Sequence, residues 1–486
     1  MMKYPQRYSW GVTLFLMVFG ALLQAQTLST EEQQILKGLD DRMDQYADMA
    51  KAIWDVSELG FMEDQSTAVL QNKLKEAGFK VESGLAGMPT SFIGSWGSGK
   101  PVIGLLAEYD ALPGMSQAAV PYQESRSEVN AGHACGHHLF GAGSVAAAIA
   151  IKEWLEKTGT SGTVRLYGTP AEEGGGGKVY MVREGLFDDV DAVLTWHPSQ
   201  MNASSAESSL AVVGARFRFY GIASHAAASP WNGRSALDGV ESMNHMVNMM
   251  REHVPPQTRI HYAIFRGGEA PNVVPAYAES SYYVRHPNAA TLKEIFARVV
   301  KAAEGAALGT GTRMEYEMEM GYYEVLPNEP LSQLMYDKLK QVGGVQYTPE
   351  ERNFAVEIMK TYDHGKMTPE SAMEIAPYTV NYVGTFASSD VGDISWVTPT
   401  ASLAAATWVP GTSAHSWQAV AAGGTSIGAK GMMVAAKTIA LSAVEIYKNP
   451  AIAEKAMDKF RQLTGDDFRY ESLVGDRKPP LDYRKN

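Results

Sequence analysis

Apolar residues recur every three or four positions from Thr30 onward, at Ile35, Leu36, Leu39, Met43, Tyr46, Ala50, Ile53 and Trp54. That period predicts an amphipathic helix, with Thr30 followed by Glu32 and Gln33 as a capped start. A second helix is predicted over 65–77, ending at Gly78, a residue suited to a helix terminus. The pattern then changes to short apolar runs alternating with helical stretches. Val102–Ala107 reads as a buried strand, 139–155 as an alanine-rich helix, 163–167 as a strand, 178–184 as a helix and 192–196 as a strand. Such alternation predicts an α/β fold with a mainly parallel sheet covered by helices.

Near Leu210 the texture shifts to half-exposed alternation. Runs 212–220, 259–265 and 279–285 read as strands and 313–322 as a fourth, with helices over 236–252 and 292–307. Strand, helix, strand, strand, helix, strand is the split βαβ order of a compact α+β unit. Beyond Pro327 the earlier pattern returns, with helices over 331–341 and 425–447 and an apolar strand over 402–407. The expected organisation is a sheet domain, 26–210 and 326–448, interrupted by an α+β insertion, 211–325, and followed by a tail, 449–486. Residues 347–389 are polar and irregular and receive no element.

The first residues read as an address. Lys3 and Arg7 precede the apolar run 11–23 and then Gln24-Ala25-Gln26, the arrangement of a secretory signal peptide over 1–25. A secreted or periplasmic location is expected, with no membrane association after cleavage, because no later segment holds ~18 uninterrupted apolar residues. The formal net charge of −12, without a basic run, argues against nucleic acid or anionic lipid as partner. Cys135 is the sole cysteine, so there is no internal disulfide. A free thiol outside the cytosol is a liability unless something occupies it.

Open α/β sheets bind ligands beyond the carboxyl ends of their strands. Glu108-Tyr109-Asp110 follows the first buried strand, Pro170-Ala171-Glu172-Glu173 and four glycines follow the second, and His197-Pro198 closes the third. His133-Ala134-Cys135-Gly136-His137-His138 opens the alanine-rich helix, and Ser413-Ala414-His415-Ser416-Trp417 follows the last strand. Cys135 and His137 are spaced so that a tight loop can turn both toward one ion. Thiolate with imidazole suits zinc, and carboxylate with imidazole also accepts manganese. Glu172 and Glu173 diverge, so one can bind metal while the other accepts a proton. Taken singly, Cys135 also reads as a structural thiol, the acidic pair as an exposed loop, His197 as a core histidine and His415 as part of a polar turn. His245, His253, His261, His286 and His364 read as structural.

In combination and in this order, these runs resemble the two-metal aminoacylase/carboxypeptidase family. The cysteine marks the branch of hippurate and indole-acetyl-amino-acid amidohydrolases, and His138-Leu139 with Ser389-Asp390-Val391-Gly392-Asp393-Ile394-Ser395-Trp396 resembles the aminobenzoyl-glutamate utilisation group within it. The resemblance implies two divalent ions per chain, zinc or manganese, held by Cys135, His137, Glu173, His197 and His415. It implies Glu172 as general base to a metal-activated water and Asp110 as the carboxylate that orients a ligand histidine. In the insertion, which the resemblance makes a lid and dimerisation domain, His225 matches the residue that reaches the substrate carbonyl, often from a partner subunit. Asn272 and Arg285 match positions that hold the substrate. The implied activity is hydrolysis of the amide bond of a small N-acyl amino acid resembling aminobenzoyl-glutamate. A dipeptidase or carboxypeptidase using the same site, and a non-catalytic subunit of a hetero-oligomer, are the alternatives. The implied assembly is a homodimer, or a heterodimer with a related subunit, through the lid. His138 stands where many relatives have Asp or Asn, and the tail has no recognised counterpart.

Overall fold

The computed structural model describes residues 28–384 and 387–485; the predicted signal peptide lies outside the described residues. In chain order, the strands of its two larger sheets are β1 (Lys80–Ser83), β2 (Phe92–Ser98), β3 (Val102–Ala107), β4 (Gly162–Gly168), β5 (Ala192–Ser199), β6 (Ala203–Ser204), β7 (Ala211–Tyr220), β8 (Arg259–Arg266), β9 (Tyr277–His286), β10 (Arg313–Tyr322) and β11 (Thr400–Ala406). The seven-stranded sheet has the order β1-β2-β4-β3-β5-β11-β6. Its four central strands are mutually parallel, and antiparallel strands close both sides. All six residues of β3 are buried, as a strand covered on both faces requires.

Helices His137–Thr158 and Ser426–Lys448 pack against each other and against this sheet. Both are apolar around most of their circumference, which fits helices enclosed on all sides. By length and composition Ser426–Lys448 is the one helix among the described residues able to cross a membrane, but 89% of its apolar window is buried inside the protein.

The insertion forms a four-stranded antiparallel sheet, order β8-β9-β7-β10, with helices Ala236–Met250 and Ala289–Thr310 packed on it. It has its own core around Phe217, Phe219, Val240, Met243, Tyr282, Leu292 and Val299. Strand β8 lies at the edge and is almost wholly exposed.

Three local expectations need correction. The first predicted helix is two helices, Thr30–Asp40 and Met43–Val56, and its cap is Ser29, whose hydroxyl and Glu32 form a reciprocal capping box. Residues 347–389 contain the helix Pro349–Met359, opened by a capping box between Thr348 and Glu351 with proline in the first turn. The tail begins with another helix, Ala451–Thr464.

Candidate active site

Because β4, β3, β5 and β11 run parallel, their carboxyl ends share one edge of the sheet, where the chemically active runs meet. Gly136, in the left-handed region at φ 76°, lets the Cys135 loop press on the end of β5, where a Cβ would lie 2.6 Å from Pro198 Cβ. Cys135 is buried, and its Sγ lies 3.5 Å from His197 Nε2. His197 Nδ1 bonds the Pro198 carbonyl at 2.7 Å, which leaves the Nε2 lone pair facing the sulfur. His137 Nδ1 bonds Asp110 Oδ1 at 2.8 Å, and its Nε2 is buried without an aligned hydrogen-bond partner, although Glu108 Oε2 lies 3.0 Å away. On the other side of Cys135, His415 Nε2 lies 2.9 Å from Glu173 Oε1. The His415 backbone N–H donates to the Ala134 carbonyl at 2.9 Å, which ties the two loops together.

These donors form two groups, Cys135 with His137 and His197, and Cys135 with Glu173 and His415; within each, the ligand atoms lie within 4.8 Å of one another. The sulfur belongs to both. The residues fit a pair of divalent ions: a sulfur at ~2.3 Å and a nitrogen at ~2.1 Å from one tetrahedral ion lie about 3.6 Å apart, close to the 3.5 Å found for Cys135 and His197. Electrostatics agree. Burial opposes ionisation of Cys135, but the His197 and His137 imidazoles outweigh it and hold the thiol well below its ordinary range. Burial likewise disfavours charge on His137, yet Glu108, Asp110 and Cys135 hold its pKa well above the usual value. Hydrogen bonds with Cys135 and Glu173 push His415 up to about 10. This donor set draws positive charge to itself.

Glu172 precedes Glu173 in the chain, and its carboxylate joins Glu108 and His137, a member of the first group, in a third set of facing ligand atoms. Burial, followed by the fields of Glu108, Asp390 and Glu173, pushes its pKa well above the carboxylate range. Behind it lies a fully buried ion cluster: Lys178 Nζ is 2.7 Å from Glu108 Oε1 and 2.7 Å from Asp390 Oδ1, and Asp390 also accepts the Lys178 backbone N–H at 3.0 Å. Glu63, also buried, accepts from the Thr90 hydroxyl and the Ala171 N–H, both at 2.8 Å. It thereby supports the turn where Ala171 adopts φ 57°. Burial and the nearby Asp110 carboxylate push Glu63 up to about 8.

The insertion residues are not brought into these groups. His225 is exposed, and its Nδ1 accepts the N–H groups of Ala227 and Ala228 at 3.2 and 3.1 Å. That tautomer puts the ring proton on Nε2, a donor facing outward. The Asn272 carbonyl accepts the Ala226 N–H at 3.0 Å, so the two segments are paired within the insertion. Arg285 reaches the other way: its Nη1 donates to Ser388 Oγ at 3.0 Å, two residues before Asp390. Among the described residues it makes no ion pair, and burial lowers its pKa.

Residues 104–384 match the model of the peptidase family M20/M25/M40. The chain belongs to this family. It is 42% identical over 461 residues to one of the subunits of the p-aminobenzoyl-glutamate hydrolase of Escherichia coli K12, covering 89% of this chain and 96% of the relative. The Xaa-Arg dipeptidase of Mus musculus is 29% identical over 456 residues, covering 90% and 94%. A solved dinuclear metal binding peptidase of the M20 family from Bacillus subtilis superposes with a TM-score of 0.57 at 17% identity, covering 84% of this chain and 99% of that one. The chain is a hydrolase of the M20 class, with the α/β fold of that class.

Four roles around the site of this M20 chain escaped the sequence reading: those of Glu63, of Glu108 as a partner of His137, of Lys178, and of Asp390 as the lysine's counter-charge. Lys178 carried a usable signal, since a lysine opening a helix whose next residues are apolar needs a buried counter-charge. Glu63 had none, because its partners Thr90 and Ala171 lie on separate elements.

Proposed function

We propose that this M20 chain hydrolyses the amide bond of a small N-acyl amino acid of the aminobenzoyl-glutamate type, using two divalent ions. The observation that carries the reading is the single sulfur shared by two donor groups, with the Glu172 carboxylate facing His137 of the first. Cys135, His137 and His197 would hold one ion and Cys135, Glu173 and His415 the other, zinc or manganese. When bound, the ions polarise the scissile carbonyl and acidify the attacking water. Glu172 takes the water proton and returns it to the leaving nitrogen, a role favoured by a carboxyl whose pKa lies above the ordinary range. Asp110 fixes the ring of His137 through Nδ1. His225, with its proton on Nε2, donates to the carbonyl oxygen, and Asn272 beside it helps hold the substrate. Arg285, without an acidic partner among the described residues, offers a bidentate anchor for the substrate carboxylate.

The insertion, 211–325, acts in this reading as lid and dimerisation domain on a catalytic domain of 26–210 and 326–448. Edge strand β8 exposes Tyr262, Ile264 and Phe265, which suits pairing with a second copy or a related subunit. That the Escherichia coli relative is named as a subunit of a larger hydrolase supports the second arrangement. The N-terminal pattern supports export to a secreted or periplasmic location after removal of 1–25. A dipeptidase reading is the alternative, favoured by the Xaa-Arg dipeptidase relative; the intact Glu172 opposes a purely non-catalytic subunit.

A substrate panel on the metal-reconstituted mature chain tests the proposal. Metal-dependent release of glutamate from aminobenzoyl-glutamate, well above cleavage of Xaa-Arg dipeptides, is the expected result. The reverse preference would establish the dipeptidase reading.

A further inference from the structure

The last described residues of the chain lie against the loop bearing Glu172 and Glu173. Tyr483 Oη donates to the Glu173 carbonyl oxygen at 3.0 Å, and Arg484 Nη2 donates to the same oxygen at 2.7 Å. The Tyr483 ring meets Phe61 edge-on at 5.8 Å, and its hydroxyl occupies space that a side chain at Gly60 would claim, 2.3 Å from a Cβ there. The opposite end of the same residue is also held, since the Glu173 N–H donates to Asp110 Oδ2 at 2.9 Å. Glu173 is therefore gripped at both ends of its backbone.

The loop needs such a grip. Ala171, Gly174 and Gly176 all have positive φ, and four glycines in succession follow Glu173. Glycine backbone is the most permissive available and supplies no side chain to pack. A carboxylate carried by such a loop keeps one position only when outside groups fix its backbone, and a carbonyl accepting two donors, one of them cationic, is a strong fixture.

The segment is secured elsewhere. Arg183 donates to the Gly475 and Arg477 carbonyls at 3.1 and 2.7 Å. Arg477 donates to the Glu319 carbonyl on β10 at 2.7 Å. Tyr323 donates to the Glu471 carbonyl at 3.0 Å. One strap thus joins the insertion to the Glu173 loop.

We propose that the C-terminal segment is a working part of the active site, with Tyr483 and Arg484 as positioning residues that hold Glu173, and through it Glu172, in place for metal binding and proton transfer. This rests on the two-ion reading above, in which Glu173 is a ligand. Neither residue touches the reacting atoms.

The test uses the mature full-length chain and three variants, Tyr483→Phe, Arg484→Lys and the double Tyr483→Phe/Arg484→Met. Manganese is titrated calorimetrically into metal-stripped protein, alongside thermal melting and steady-state kinetics. In the double variant one of two binding events should weaken by about tenfold or more, and kcat should fall by a similar factor. KM and melting temperature should stay close to wild type. Arg484→Lys, which keeps a cationic donor, should retain most of the affinity. Unchanged manganese binding and kcat in the double variant would overturn the proposal while leaving the two-ion reading intact. So would losses that track a fall in melting temperature and are equally large in Arg484→Lys. Should the double variant fail to fold, Tyr483→Phe decides by the same criteria. A wild-type chain that binds fewer than two ions would instead remove the two-ion reading, and this proposal with it.

Discussion

Cys135 is where residue chemistry bears most weight, because its sulfur faces both donor groups. Serine is nearly isosteric but a poor ligand for a soft or borderline ion. Cys135→Ser should therefore strip both ions on dialysis, and elemental analysis showing near-native metal content would refute the shared-donor arrangement. Glu172→Gln should behave differently: metal content intact, kcat lower by on the order of 10²–10⁴, and the fold unaffected. Titration offers a check away from the metal groups. Burial pushes Glu324 up to about 7 from an ordinary value of 4.5. Between those values the folded chain binds more protons than the unfolded one, so this group's contribution to stability is present at low pH and lost as pH rises from about 4.5 to 7. The Glu324 side chain accepts the Ala289 N–H, a role glutamine can keep. Melting temperature against pH should accordingly be flatter in Glu324→Gln than in wild type.

Elements are where sequence and structure part company. The parallel strands were legible because each is a short apolar run followed by ligand-type residues; the rule that such strands share a functional edge points to Glu172, Glu173, His197 and His415, while joining them with Cys135 and His137 at the start of the alanine-rich helix into one ligand set took the family resemblance. Strands β1 and β2 were not legible: one is mostly exposed, the other carries glycine and serine. The helix Pro349–Met359 was missed although Thr348-Pro349-Glu350-Glu351 is a good helix start, because the polar residues around it hide its weak apolar face. The Lys178 cluster shows a deeper limit. Lys178 opens helix Gly177–Arg183, Glu108 directly follows β3 and Asp390 lies in a distant turn, and only the assembled fold brings the lysine within 2.7 Å of both carboxylates. Removing one member of a buried ion cluster leaves uncompensated charge, at a cost of about 3–5 kcal/mol. Lys178→Met should lower stability in chemical denaturation by that order, and adding Asp390→Asn should recover part of the loss.

At the scale of the whole molecule, the insertion raises the question of how His225 meets a substrate. Its hydrogen bonds are confined to the insertion, while the metal-type donors sit on the large sheet. If a second subunit supplies it through the lid, chains bearing His225→Ala and chains bearing Glu172→Gln should recover activity when refolded together that neither has alone. Lysine at Ile264 and Phe265 on β8 should reduce the assembly to monomers in sedimentation and abolish that rescue. The pairing of β5 with β11 carries a further consequence, because it matches Val193 with Thr400. Everything between those positions, the insertion included, must be synthesised before the central strand can slot into its gap. Contacts so distant in sequence form slowly. His415 arrives only after that strand, so a nascent chain can assemble Cys135, His137 and His197 early, yet must wait for its final third before the second trio exists. On the two-ion reading, the two halves of the metal centre are thus completed by parts of the chain about two hundred residues apart, one long before the other.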